Sequence, residues 1–296
     1  MAAKTLAAPP AGLVRKTKRP RFGWWSRYRR NKLAVFGLGW VVLFFIIGVI
    51  GPWIAPHNYA YTNFLAANQP PSWQYPFGTD SVGHDMLSEI LWSVQNALEI
   101  ALGATFISFL VGAALGLWAG LKGGIADQIV MRLVDFMYAF PTYFLDLILV
   151  TTFGRGLAPI MFAIGITGWA GYARLIRGLT LRLREGEMVE AARALGSTQR
   201  HIMIAYLWPN VRNSMLVALA FGIPGDLTVM AGLSVVGMGL RPPLPSFGNM
   251  IAQAGTNVLG FPWLLYFPAG IFAITLLSFL FVAEGLQEAL DPKGGR

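Results

Sequence analysis

Apolar residues fall along this chain in long runs separated by short polar stretches, a pattern too continuous for the one-sided helices of a water-soluble domain. The first run, 33–55, would cover roughly 34 Å as a helix rising about 1.5 Å per residue, against a hydrocarbon core of about 30 Å. Comparable runs follow at 96–120, at 128–152 with Pro141 interrupting it, at 157–175, at 214–238 around Pro224 and Gly225, and at 263–283. The pattern predicts an all-α membrane protein of about six transmembrane helices. Gly103, Gly112, Ala113 and Gly116 give the second span the small surface that lets helices approach closely in lipid.

The polar stretches divide the rest. Residues 1–32 form a basic N-terminal segment, 33–290 a single transmembrane domain, and 291–296 a short tail. Residues 56–95 carry Pro70, Pro71, Pro76, Asp80 and Asp85 and read as an external loop ending in a short helix. Residues 172–212 are polar and mostly basic. The whole chain is 55% hydrophobic and 12% charged with a formal charge of +9, which could signal nucleic acid were the basic residues spread evenly. They are not: Arg15, Lys16, Lys18, Arg19 and their neighbours precede the first span, and no Lys or Arg follows until Lys122. This is the positive-inside asymmetry, which puts both termini and the 172–212 loop in the cytoplasm and leaves only Arg155 and Arg241 outside. Nucleic-acid binding is set aside, and lipid is the expected surroundings. The first run exceeds the roughly 7–15 residues of a cleavable signal core, so it reads as a retained span.

Several chemistries lack their residues. The chain has no cysteine, which excludes disulfides and thiolate sites. His57, His84 and His201 are too dispersed in this topology to share a metal, and there is no Gly-x-Ser-x-Gly elbow, His-Glu-x-x-His pair or Gly-x-x-x-x-Gly-Lys-Ser/Thr phosphate loop. No catalytic residue, metal or cofactor is assigned to this chain. Nor do the spans show an inverted pair of Gly/Pro-broken helices, the pointer to a secondary transporter.

The most informative polar stretch is Glu190-Ala191-Ala192-Arg193-Ala194-Leu195-Gly196, continuing to Tyr206-Leu207-Trp208-Pro209-Asn210. A helix ending near Leu195 would be stopped by Gly196 in a left-handed conformation, and a second short helix could run from Ser197 towards Leu207. Ala191 and Ala192 would offer a partner protein a face without bulk, with Glu190 making directional contacts. An amphipathic helix on lipid headgroups is the competing reading, favoured by Arg182, Arg193 and Arg200.

The spacing Glu-Ala-Ala, three residues, Gly, then Pro209 resembles the EAA loop of bacterial ABC importer permeases. Phe77-Gly78-Thr79-Asp80-Ser81-Val82-Gly83-His84-Asp85 is similar to the FGTDxxGRD segment of the C-type permeases of the dipeptide and oligopeptide systems. Arg132 to Asp135 with Pro141, Trp208-Pro209-Asn210, and Glu288-Ala289-Leu290-Asp291-Pro292-Lys293 continue the resemblance in order. It implies a type I importer permease fold in a bacterial or archaeal cytoplasmic membrane. The implied machine imports di- or oligopeptides, with oligosaccharides or a nickel chelate as alternatives. It would comprise a second homologous permease, two ATP-binding subunits holding ATP and Mg, and an extracytoplasmic solute-binding protein. Glu190, Ala191, Ala192, Gly196 and Pro209 would then couple to the ATPases, and Gly78, Asp80, Gly83 and Asp85 would form an external motif. The chain departs from the pattern at His84 and Glu89, where the family has Arg, and at Met230, where it has Glu.

Ionisable groups within the spans are costly unless paired or hydrated, so Glu99, Asp135, Asp146 and Asp226 need partners or a role. Arg132 and Asp135, three apart on one helix face, are expected to pair. Asp226 and Met230 are the candidates for the pathway or its gate, Asp226 because it adjoins the Pro224-Gly225 break.

Overall fold

The computed structural model describes residues 24–255 and 258–290. Most of the basic N-terminal segment and the 291–296 tail therefore lie outside the described residues. The described residues open with the short helix α1 (Trp24–Tyr28) and the long helix α2 (Lys32–Ile54), the first span. Asn31 caps α2 by accepting from the Leu33 and Ala34 amides, both at 3.1 Å, and its own amide donates to Glu288 at 3.1 Å. One side chain thus starts the first span and ties it to the end of the last.

A long loop leads to α3 (Met86–Lys122), whose 37 residues make it much longer than a bilayer requires. The helix begins about ten residues earlier than its apolar pattern suggests, and the external loop ends at Asp85 instead of 95, with no separate short helix. Asp85 is the reason: its carboxylate accepts from the Leu87 and Ser88 amides at 3.4 and 3.2 Å, fixing the first turn. The predicted third span is two helices, α4 (Gly124–Ala139) and α5 (Thr142–Phe153), bent by 84°. Pro141 forces Phe140 into an extended conformation (φ −105°, ψ 139°), so the helix cannot pass through. Among the described residues five helices are long and apolar enough to cross a membrane, or six if the bent pair counts as one span.

The fourth span, α6 (Leu157–Arg184), runs past position 175, where the sequence turns polar. After α7 (Glu187–Ala194), a continuous helical stretch is built from α8 (Gln199–His201), a π-helical turn (Ile202–Leu207) and α9 (Trp208–Val235). Pro224 does not break α9. The short α10 (Phe247–Ala254) and the last span α11 (Trp263–Leu290) complete the fold.

α3 lies at the centre and packs most extensively on α6. A Cβ added at Gly112 or Gly116 would stand 2.5 Å from the Trp169 carbonyl oxygen and 2.6 Å from that of Ala173. The two backbones therefore touch along this ridge, and the Ser108 hydroxyl adds a bond to the Gly165 carbonyl at 2.8 Å. In lipid, where water exclusion does not drive helices together, such close packing has to supply the attraction. On the other side of α3 a core of Phe44, Ile90, Leu227, Phe247 and Phe279 joins α2, α9, α10 and α11. Trp53, Phe106, Ile148 and Phe162 point outwards, as lipid-facing residues do.

Replacing Gly116 by Leu is expected to force α3 from α6, with a cost of about 1–3 kcal/mol for overpacking. Gly39 on α2 has open space around it, so Gly39→Ala serves as the control. Thermal unfolding in detergent should show a clearly lowered Tm for the first variant only.

Candidate functional site

The segment between α6 and α9 folds as a knob on the end of the helix bundle. α7 ends in a paired backbone motif: the Ser197 amide donates to the Ala192 carbonyl at 3.0 Å and the Gly196 amide to that of Arg193 at 2.9 Å. Gly196 takes φ +79°, the left-handed conformation expected of it, which costs glycine nothing and other residues about 1–2 kcal/mol. The chain then turns back, and Thr198 caps the next helix by accepting from the His201 amide at 3.3 Å.

The two faces of α7 have separate tasks. Val189 and Ala192 are buried against Ile202 and Leu207, with Leu121 from the end of α3 and Leu183 from the end of α6 beside them. Ala192 is thus a packing residue, so the expectation that it shares an outward face with Ala191 is corrected. Glu190, Ala191 and Gly196 are exposed. Met188, Ala191 and Leu195, spaced three and four apart, form one helical stripe, and Leu195 is 88% exposed. Ile204 and Trp208 extend this surface. Met188 and Ile204 were not singled out from the sequence, and Leu195 and Trp208 were named there only as parts of the stretch and not as an exposed surface.

Pro209 stands exposed in the first turn of α9. It has no amide hydrogen and crowds the carbonyl four residues back, and just before it the helix widens so that the Trp208 amide reaches the Met203 carbonyl, five residues away. The Asn210 side chain donates to the Tyr206 carbonyl at 2.6 Å, a side-chain bond within the turn that Pro209 opens.

Above the knob, between α5, α6, α9 and the end of α11, lies a cavity of about 860 Å³. Asp146, Tyr172 and Asp226 line it, together with Thr142, Thr167 and Asn213. Asp146 accepts from the Thr167 hydroxyl at 2.7 Å and Asp226 from that of Thr105 at 2.5 Å. The second carboxylate oxygen of Asp146 and the Tyr172 hydroxyl are buried with no hydrogen-bond partner. Met230, one turn along α9 from Asp226, is 1% exposed and belongs to the core, so the structure does not place it on the cavity. Glu99 is exposed on α3.

Asp135 does not pair with Arg132. Its partner is Arg174 of α6, at 2.9 Å, and that guanidinium also lies over the Tyr138 ring at 4.4 Å. A second tie between α4 and α6 joins Arg177 to Asp127, with one bond of 2.6 Å. Both contacts depend on a tertiary neighbour that spacing within one helix cannot reveal.

The external motif is a folded cap on α3. Gly83 has φ +83°, and a Cβ there would sit 1.9 Å from the Asn63 carbonyl oxygen; Gly78, at φ +78°, makes the preceding turn. Asp80 accepts from the Val82 and His84 amides at 3.0 and 2.7 Å. The two departures from the family pattern meet here: His84 Nδ1 lies 3.0 Å from Asp80 and 3.7 Å from Glu89. Asp80, His84 and Glu89 bring ligand-type atoms within 4.8 Å of one another, a grouping that the scatter of the histidines alone did not suggest. A protonated imidazole would offset the charge of Asp80, the carboxylate it is hydrogen-bonded to. Its hydrogen bond to Asp80 raises the His84 pKa above the ordinary histidine value, against the opposing effect of burial.

Residues 112–295 match the family model described as binding-protein-dependent transport system inner membrane component, and residues 23–71 match that of the N-terminal TM domain of oligopeptide transport permease C. The chain is 34% identical to the oligopeptide transport system permease protein OppC of Bacillus subtilis, covering 97% of this chain and 95% of that one. It is 34% identical to the dipeptide transport system permease protein DppC of the same organism, over 93% and 88%. For the glutathione transport system permease protein GsiD of Escherichia coli the identity is 33%, over 97% and 95%. Among solved structures, one of inward-facing conformations of the MetNI methionine ABC transporter superposes with a TM-score of 0.58 at 19% identity, covering 70% of this chain and 98% of that one. At that identity the likeness concerns the fold alone.

A raised His84 pKa means that the ion pair stabilises the external cap fully below the unfolded histidine value of about 6.5 and less as pH rises through the folded value. The protection factors of the cap amides, the intrinsic exchange rate at each pH divided by the observed one, should therefore be larger at pH 6 than at pH 8, and His84→Gln should remove that difference.

Proposed function

This chain belongs to the family of binding-protein-dependent transport system inner membrane components, and on that premise we propose that it forms half of a peptide pathway driven by separate ATPase subunits. A second homologous permease would close the open side of the cavity. Two ATP-binding subunits, holding ATP and Mg, would dock on the knob, and an extracytoplasmic binding protein would deliver the solute to the face that carries the 55–85 loop. Peptides are the substrate class that the relatives' names favour, since those are oligopeptide, dipeptide and glutathione permeases.

The observation that carries the coupling role is the position of the knob. It packs on the ends of α3 and α6 through Leu121 and Leu183, and it continues through the π-helical turn into α9. The helices that carry Tyr172 and Asp226 are therefore the two that the knob joins. A partner that grips the exposed stripe of Met188, Ala191 and Leu195 and moves as its nucleotide sites close would shift α6 against α9 and reshape the cavity between them. The driving energy would be the difference in ATP affinity between the two states of the assembly. The buried face of α7 transmits the push because it is packed, while the exposed face receives it.

Glu190→Ala combined with Gly196→Trp alters the exposed face and the left-handed turn without adding bulk to the buried one. The expected outcome is an inserted, folded chain in an assembled complex whose peptide-stimulated ATPase activity falls by tenfold or more, a difference of at least about 1.4 kcal/mol in coupling. Undiminished stimulation in the reconstituted complex would remove the coupling assignment.

A further inference from the structure

Resting on the importer reading above, we propose that the membrane cavity contains a recognition site for a positively charged group of the solute, formed by Asp146 of α5, Asp226 of α9 and Tyr172 of α6, which line it together. Two consecutive helices, α5 and α6, and the more distant α9 bring these groups to the lining of one cavity. Asp146 is 1% exposed, yet one of its carboxylate oxygens has no hydrogen-bond donor. The Tyr172 hydroxyl is buried and unpartnered as well. It fits only because residue 222 is glycine: a Cβ there would lie 1.9 Å from that oxygen.

The protein supplies these acids with hydroxyls and no charge. Thr167 donates to Asp146 and Thr105 to Asp226, one bond each. No Lys, Arg or His lines the cavity among the described residues. The nearest arginines on α6, Arg174 and Arg177, are committed to Asp135 and Asp127. Two carboxylates facing one membrane cavity without a protein cation repel each other and lack donors. An ammonium group answers both deficits, since it carries one positive charge and three donors and has no acceptor to satisfy. The Tyr172 oxygen can accept from it, and the aromatic ring offers a second favourable face.

The remaining wall explains why charge and not side-chain shape would be read. Leu175, Leu179, Val217 and Phe221 are apolar and undirected, the polar remainder such as Thr142, Asn213 and Gln287 is uncharged, and a cavity of about 860 Å³ leaves room for more than one residue of a peptide. Selection for a cation in a loose apolar chamber admits many sequences while holding each briefly. Such a site would sit in the permease itself, separate from any selection by a binding protein.

The test uses the complete complex in proteoliposomes and two N-acetylated peptides that differ only by Lys or norleucine at one internal position, so that only one of them carries an ammonium group. Each is supplied at saturating binding-protein concentration, so that the uptake rate reads the membrane step. The wild type should carry the lysine peptide about tenfold faster, the ratio that 1.4 kcal/mol of preference gives. Asp146→Asn with Asp226→Asn should bring the ratio close to one. Asp226→Glu, which keeps the charge, should retain most of it. Equal rates in the wild type, or a preference that survives the double substitution, would overturn the proposal, and the wild-type comparison stands even if a variant fails to assemble. Equal but ATP-dependent uptake would leave the importer reading intact; no ATP-dependent uptake of either peptide would remove both.

Discussion

Where α3 meets α6, Gly112 and Gly116 bring the two backbones so close that a methyl group would strike the carbonyls of Trp169 and Ala173. The other parts of the molecule are placed relative to that contact. Its lower end supplies Leu121 and Leu183, on which the knob sits, and its α6 side presents Tyr172 to the cavity. Because association in lipid has to come from packing and polar contacts, a loose seam here would cost both the platform and the wall. The Ser108 bond and the two arginine–aspartate ties from α6 to α4 are additions to this seam.

The knob and the cavity are two ends of one lever. α6 enters the knob, α9 leaves it and Leu121 of α3 packs on it, so a displacement at α7 passes into the membrane along these helices. The π-helical turn at Ile202–Leu207 lies on that route. Widened helix turns have weaker internal bonding than regular α-helix, and here one stands where α9 would have to change direction relative to α6. Rigid packing on the α6 side and a softer turn on the α9 side suit a device that moves one helix against the other.

Local chemistry was legible in the sequence, and tertiary chemistry was not. Gly196 announced its left-handed turn because a helix stop depends on its immediate neighbours, whereas the turn at Gly83 and the cap at Asp85 emerge only in the folded loop. α3 starts about ten residues before its apolar run because its first turns carry Ser88, Glu89, Ser93, Gln95 and Asn96 among Ile90, Leu91 and Val94, which interrupts the hydropathy without interrupting the helix. Asp135 was matched to Arg132, the neighbour that spacing could see, when Arg174 on another helix was nearer in space. Ala192 and Met230 looked like surface and pathway residues until packing placed both inside. The cavity acids were visible one by one, but their convergence on one wall needed the 84° bend at Pro141, which sets α5 against α6.

The absence of cysteine makes the lever directly measurable, because spin labels can be placed at chosen sites alone. With Leu179→Cys on α6 and Ser214→Cys on α9 labelled in the reconstituted complex, electron–electron resonance reads the distance across the cavity with and without trapped ATP. The lever account predicts that the distance distribution shifts on ATP binding and that the shift disappears when Gly196 is replaced by Trp. An unchanged distribution in a complex that still hydrolyses ATP and carries peptide would contradict it.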